Sequence, residues 1–223
     1  MRLPIETFSK KQIVELYNAK CPWHPGHNFL EHPNCYYRFA EGKQQWKEGY
    51  FDIEASQLKG NWGVVLSWCI KERGKDVYHL DYLRPEDFER RSDERVIKSL
   101  VEALSKFSVI YTYYGTRFDI TFSRTRALKH SLFFPPYRSI IHVDLYYIAR
   151  SRLNLHSNRL EHVAELFGVK GKTKLTPEIW CAALFGDQKA IEYIVDHNKR
   201  DCLILEKVHQ RLEPYMAEVR RSI

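Results

Sequence analysis

Short apolar and aromatic runs alternate along this chain with longer stretches in which apolar residues return every third or fourth position. The first pattern predicts strands and the second helices. Strands are expected over residues 50–55, 63–70, 77–83, 109–114 and 139–145, the last running into a short helix through Tyr147. Helices are expected over 8–19, 92–107, 118–129, 158–167, 176–186 and 187–213. Ser9 and Ser92 stand where N-caps belong, Asn158 and Glu161 lie at capping-box spacing, and Pro177 takes a first helical position. Val96, Leu100, Val101 and Leu104 draw an apolar stripe along the second helix. Tight turns at 56–61 and at Arg73-Gly-Lys-Asp76 join the first three strands, which therefore pair antiparallel. A helix separates the third strand from the fourth, which places the fourth parallel to a neighbour. The expected fold is α/β, with a mixed sheet of three antiparallel strands, then parallel strands, flanked by helices.

Residues 1–48 do not share this pattern and read as an N-terminal extension of a main domain over 49–223. In it, Cys21-Pro-Trp-His24 and His32-Pro-Asn-Cys35 are two close ligand pairs separated by seven residues. Two such pairs around a loop are how a tetrahedral zinc site is written into a sequence. Pro22, Pro25, Gly26 and Pro33 forbid a continuous helix there. Cys21, His24, His32 and Cys35 are thus candidate ligands of a structural Zn²⁺ over 21–35, with His27 in reserve. The alternative is a Pro/His-rich loop packed on the main domain.

Composition narrows the class. At 44% hydrophobic and 28% charged, the chain reads as ordinary globular protein. No apolar run approaches the roughly 20 residues that span a membrane, and residues 1–20 hold no signal-peptide core. Five cysteines, an odd number, argue against a closed disulfide framework. The expected location is therefore cytoplasmic. The net charge is +7, and residues 115–174 alone carry 11 Lys and Arg against four Asp and Glu. That clustering favours a polyanionic partner, nucleic acid first, over a merely solubilising face. Arg117, Arg124, Lys172 and Lys174 are candidate phosphate contacts, as are Arg126 and Lys129. Phe51, Tyr113, Tyr114 and Phe118 are candidate base-stacking residues or core residues.

Acids supply the candidate chemistry. On a strand, Asp52 and Glu54 project to one face. Two carboxylates so held either face solvent or share a hard cation such as Mg²⁺. Asp119 falls in the first turn of a helix that leaves the C-terminal end of a strand, where α/β sheets bind ligands; it either caps that helix or serves the site. His197 and Asp201, at i and i+4, share one face of the last helix.

Three acidic blocks therefore follow in order: Asp52-x-Glu54 on a first strand, Phe118-Asp119 after a fourth, and His197-x3-Asp201 on a last helix. In this order and on these elements they resemble the DEDD superfamily of 3′–5′ exonucleases, which have an RNase H-like fold. The resemblance covers residues 50–212. Ile141-His-Val-Asp-Leu145 and the segment 160–168 are similar to connecting segments of bacterial and phage members, whereas the Cys/His segment lies outside the family pattern. The resemblance implies a two-metal-ion phosphodiesterase acting on DNA or RNA, with single strands or 3′ ends as partners. Asp52, Glu54 and Asp201 would hold one Mg²⁺ or Mn²⁺, Asp52 and Asp119 a second, and His197 would orient or deprotonate the attacking water. The chain departs from the family twice: His197 has the three-residue spacing of the Tyr branch, and Gly115 stands where many members have Asn. A structure-selective endonuclease and a non-catalytic nucleic-acid-binding module are the alternatives within the fold.

Overall fold

The strand expected at residues 50–55 forms as β1 (Glu48–Ala55) and becomes the centre of a five-stranded sheet of order β3-β2-β1-β4-β5. The computed structural model describes residues 8–19, 28–30, 47–137, 139–171 and 173–216. Cys21, His24, His32 and Cys35, the candidate zinc ligands, lie outside the described residues. The chain divides into two compact units, Met1–Trp46 and Lys47–Ile223. In the first, helix α1 (Lys10–Asn18) starts at a capping box, Ser9 exchanging hydrogen bonds with Gln12.

In the second unit, β2 (Val65–Glu72) pairs antiparallel with β1, and β3 (Tyr78–Tyr82) antiparallel with β2. On the other side of β1, β4 (Val109–Thr112) and β5 (Ile141–Asp144) run parallel. The expected mixed sheet is what forms. The helices are α2 (Pro85–Arg90), α3 (Glu94–Leu104), α4 (Asp119–Lys129), α5 (Leu145–Arg152), α6 (Leu160–Leu166), α7 (Pro177–Leu184) and α8 (Gln188–Leu212), followed by a 3-10 turn at Glu213–Tyr215. Among the described residues no helix is long and apolar enough to cross a membrane.

The two sheet faces differ in kind. Phe51 and Ile53 of β1 and Trp68 and Ile70 of β2 join Val96, Ile97 and Leu100 of α3 and Phe122 of α4 in the main apolar core. The other face, under α8, is polar. There Asn198 accepts a hydrogen bond from the Ser67 hydroxyl (3.2 Å), the Cys202 thiol donates to the Cys69 carbonyl (3.4 Å), and the Lys71 ammonium pairs with Glu206 (2.5 Å). Tyr50 hydroxyl and His209 Nδ1 lie 2.8 Å apart. Five apolar residues of α8 go elsewhere: Ile191 and Ile194 into the main core, Ile204, Val208 and Leu212 into a second cluster with α5 and α6.

Three expectations about element ends need correction. The helix expected from Ser92 begins at Glu94, and the Asp93 side chain makes no cap because other partners take it. The helix expected from Asn158 begins at Leu160; Asn158 instead offers its carbonyl to the Tyr113 hydroxyl (2.7 Å). β4 stops at Thr112, and Tyr114 turns into the left-handed region at φ 67°. Helix α2 was not foreseen, being only six residues long.

A cluster at the β2–β3 end carries a pH consequence. Hydrogen bonds to Glu72 from Lys47 (2.8 Å), His79 (2.9 Å) and Lys75 (2.9 Å) lower its pKa from 4.5 to about 2. A carboxyl depressed in the folded state adds stability above its unfolded pKa and loses it as pH falls through the folded value. Glu72 should therefore contribute about 1–2 kcal/mol at neutral pH, discounted for its exposed lysine partners. Urea unfolding of wild type and Glu72→Gln should show that gap closing between pH 4.5 and pH 2. A gap independent of pH would refute the assignment.

Candidate active site

Alternation along β1 sets Asp52 and Glu54 on the face turned toward α8, opposite Cys69 and Ser67 of β2. From α8, Asn198 donates its amide N–H to Asp52 Oδ2 at 2.6 Å. His197 Nε2 lies 3.5 Å from Glu54 Oε1 and 3.7 Å from Asp201 Oδ2. The ladder of β1 with β4 ends at Tyr50, so β1 has a free edge beyond that point. Asp119, the first residue of α4, reaches this edge and accepts the Ile53 N–H at 3.0 Å. Asp52, Glu54, Asp119 and Asp201 thus come from three segments distant in sequence and gather around one end of β1.

Electrostatics register the gathering. Burial raises the Asp52 pKa well above the ordinary carboxylate value, and the charges of Asp119, Glu54 and Asp201 raise it further, against the opposing Asn198 hydrogen bond. Burial lifts Asp119 to about 7, with Asp144 adding to the rise and the Ile53 N–H opposing it. Buried like charges of this kind are relieved by protonation or by a cation. The donors are all hard oxygens, the set that suits Mg²⁺ or Mn²⁺ rather than a soft metal. Among the described residues, no group of three or more His, Cys, Asp and Glu side chains is drawn into metal-ligating positions.

His197 is fixed from its other nitrogen, with Nδ1 2.6 Å from the Thr173 hydroxyl oxygen. Nε2 faces two carboxylates, which favours the tautomer with its proton on Nε2 and Nδ1 accepting from Thr173.

The basic candidates disperse. Arg117 is exposed, and its guanidinium hydrogen-bonds the Tyr147 side chain. Arg124 is exposed over the Phe134 ring, 5.4 Å from its centroid. Lys174 is exposed, its carbonyl accepting from the Tyr193 hydroxyl at 3.3 Å. Lys172 lies outside the described residues. Arg126 is no phosphate contact, because it is buried against Asp93, with Nε 2.9 Å from Oδ2. Phe51 is fully buried in the core and stacks no base.

Sequence reasoning missed Asn198, Thr173 and the role of Asp144. Asn198 sits three residues before Asp201, on the same side of the helix, and that spacing was the available signal. Asp144 Oδ1 accepts the N–H groups of Tyr114 (2.8 Å) and Tyr146 (3.1 Å), and Oδ2 that of Thr116 (2.9 Å). One carboxylate therefore folds the loop that delivers Asp119. Gly115 is required in that loop: a Cβ there would lie between 2.3 and 2.7 Å from the buried Thr112 side chain. Asn could not take its place without displacing Thr112.

Residues 49–213 match the family model described as RNase_H superfamily. Among curated proteins, the DNA polymerase of Methanocaldococcus jannaschii is 32% identical over 127 residues, 48% of this chain and 8% of that protein. The DNA polymerase of Pyrococcus glycovorans is 25% identical over 212 residues, 82% of this chain and 27% of that protein. The family B DNA polymerase from the hyperthermophilic archaeon Pyrobaculum calidifontis superposes with a TM-score of 0.63 at 20% identity, over 77% of this chain and 25% of that one. At that identity the likeness is one of fold. The chain spans about a quarter of the polymerases from Pyrococcus and Pyrobaculum, and less of the Methanocaldococcus one.

Proposed function

The chain belongs to the RNase_H superfamily, and on that premise we propose that it is a divalent-metal-dependent nuclease that removes nucleotides from 3′ ends of DNA or RNA. The observation that carries the reading is the convergence of Asp52, Glu54, Asp119 and Asp201 with His197 at one end of β1. The order of the three acidic blocks, resembling the DEDD exonucleases, supports the 3′–5′ direction. That the relatives are named DNA polymerases supports nucleic acid as the substrate.

In this reading Asp52, Glu54 and Asp201 would hold one Mg²⁺ or Mn²⁺ ion, and Asp52 and Asp119 a second. Such ions would supply charge to offset the carboxylates' repulsion of a phosphodiester, activation of the attacking water and stabilisation of the leaving 3′ oxygen. The chain supplies the positioning. Asn198 fixes the rotamer of Asp52 through its 2.6 Å hydrogen bond, and the Ile53 N–H fixes Asp119. Thr173 fixes the imidazole of His197, whose Nε2–H orients water by donation rather than taking its proton.

The test uses 3′-labelled single strands and closed circular strands of DNA and RNA, with Mg²⁺ or Mn²⁺ and with chelator. Stepwise release of labelled mononucleotides, absent with chelator and absent on circles, is the expected result. Cutting of circles would replace the reading with an endonuclease of the same fold. Binding without turnover under either metal would replace it with a non-catalytic module.

A further inference from the structure

Tyr113, Tyr114, Tyr146 and Tyr147 meet just beyond the C-terminal ends of β4 and β5. Tyr146 stands edge-on to Tyr114 (centroids 4.8 Å apart, planes at 75°) and to Tyr147 (5.2 Å, 84°). Tyr114 and Tyr147 lie within 30° of parallel at 6.5 Å. Tyr113 braces the group from beneath, with its hydroxyl tied to the Asn158 carbonyl. Tyr114 is 45% exposed and Tyr147 37%, so neither ring has been withdrawn into the core.

The backbone at Tyr114 gives the cluster its significance. A bulky residue at φ 67° is strained, and glycine would serve that conformation without cost. The Asp144 carboxylate holds the strained turn by accepting the Tyr114 N–H, and through the Tyr146 N–H it also sets the neighbouring ring. Strain of this sort, over-determined by its surroundings, marks binding and active sites. The loop continues into Asp119 five residues later, which ties the cluster to the segment that carries that acid.

Charge fits the same ligand. Arg117 is bonded to Tyr147, and Arg159 edges an open hollow of about 400 Å³ against Tyr113, Tyr114 and Tyr146. Its rim also carries Glu161, 3.9 Å from the Arg159 guanidinium. The surrounding stretch 115–174 nevertheless holds the chain's basic excess. Aromatic faces with adjacent guanidinium groups are how proteins take unpaired bases and their phosphates.

We propose that Tyr114, Tyr146 and Tyr147, with Arg117 and Arg159 for the phosphates, form a platform that stacks unpaired bases of a single-stranded nucleic acid entering the acidic site. This deepens the nuclease reading and rests on it for the site the strand approaches. A base-paired strand has its faces occupied by its neighbours, so the platform selects single strands or frayed ends.

The test is fluorescence anisotropy in chelator with a labelled deoxythymidine 12-mer and an abasic strand of equal length and charge. Wild type should bind the thymidine strand about tenfold more tightly. The double variant Tyr114→Gly with Tyr147→Ala should bring that ratio close to one, and the pair Tyr114→Phe with Tyr147→Phe should preserve it. Tyr114→Gly relieves the backbone strain, so loss of folding would not explain the result. Equal binding of both strands by wild type, absent binding of either, or an unchanged ratio in the double variant would overturn the platform. Cleavage by wild type in Mg²⁺ or Mn²⁺ is scored separately. Base-dependent binding without cleavage sinks the nuclease reading alone, and cleavage with no base dependence sinks the platform alone.

Discussion

Asp52→Asn should abolish metal-dependent cleavage and, in chelated protein, make the fold more stable. The two effects share one cause. Asp52 is raised by burial and then by the charges of Asp119, Glu54 and Asp201, so its carboxylate is held against repulsion. Asn keeps the shape and still accepts the Asn198 amide N–H, but brings no charge for a cation. Activity should fall by well over a hundredfold, since even outer partners of metal ligands cost about 10–100-fold. Removing the repulsion should raise stability by about 1 kcal/mol, or about 2–4 °C in Tm for a chain of this size. Single-turnover cleavage and thermal unfolding with chelator measure the pair. Retained cleavage would remove Asp52 from the reaction, and a lower Tm would refute the account of the buried charges.

Arg126→Ala should cost about 3–5 kcal/mol, the usual effect of stranding one member of a buried ion pair. Asp93 is fully buried, and its carboxylate takes Arg126 Nε, the Val65 N–H and His130 Nε2. Burial alone would raise its pKa; the bonds from Arg126, Val65 and His130 overcome that and hold it below the ordinary value. Arg126 also donates to the Gly60 carbonyl at 3.1 Å, so it ties the β1–β2 turn to α4. Exposed Arg124, two residues away, should lose less than about 0.5 kcal/mol as alanine. Urea unfolding of the two variants makes the comparison. A loss below about 1 kcal/mol for Arg126→Ala would mean that water reaches Asp93.

That contrast shows where sequence reading stops. The succession of strands and helices along the chain was legible because it follows from period and connection length, which are local; the order of strands within the sheet was not. The shared face of Asp52 and Glu54, and that of His197 and Asp201, was legible because the period of each element sets it. Arg126 and Arg124 have the same chemistry in the sequence and opposite fates, decided by Asp93 just before another helix. Asn198 and Asp144 were passed over for a similar reason: each acts through a hydrogen bond to a residue at least 28 positions away. Tyr114 was read as strand from its aromatic neighbours, while Asp144 turns it into the left-handed region. Ser92 was read as the cap of α3, whose N-cap position falls to Asp93, while the Ser92 hydroxyl accepts the Glu94 N–H at 3.2 Å.

The polar face beneath α8 has a calorimetric consequence. Apolar surface raises the heat capacity of the unfolded chain and polar surface lowers it. Detaching α8 from β1 and β2 uncovers Ser67, Lys71, Asp52, Asn198 and Glu206 together with Tyr50 and Cys202. The two contributions offset one another along that seam. Separation of α3 and α4 from the opposite face uncovers Phe51, Trp68, Ile97 and Leu100 with little polar surface to compensate. The sheet face beneath α8 therefore adds less to the curvature of stability with temperature than the face beneath α3 and α4. The temperature dependence of the grip of α8, and with it of the seating of His197 and Asp201, comes from Ile191, Ile194, Ile204, Val208 and Leu212 at the flanks of the seam rather than from the seam itself.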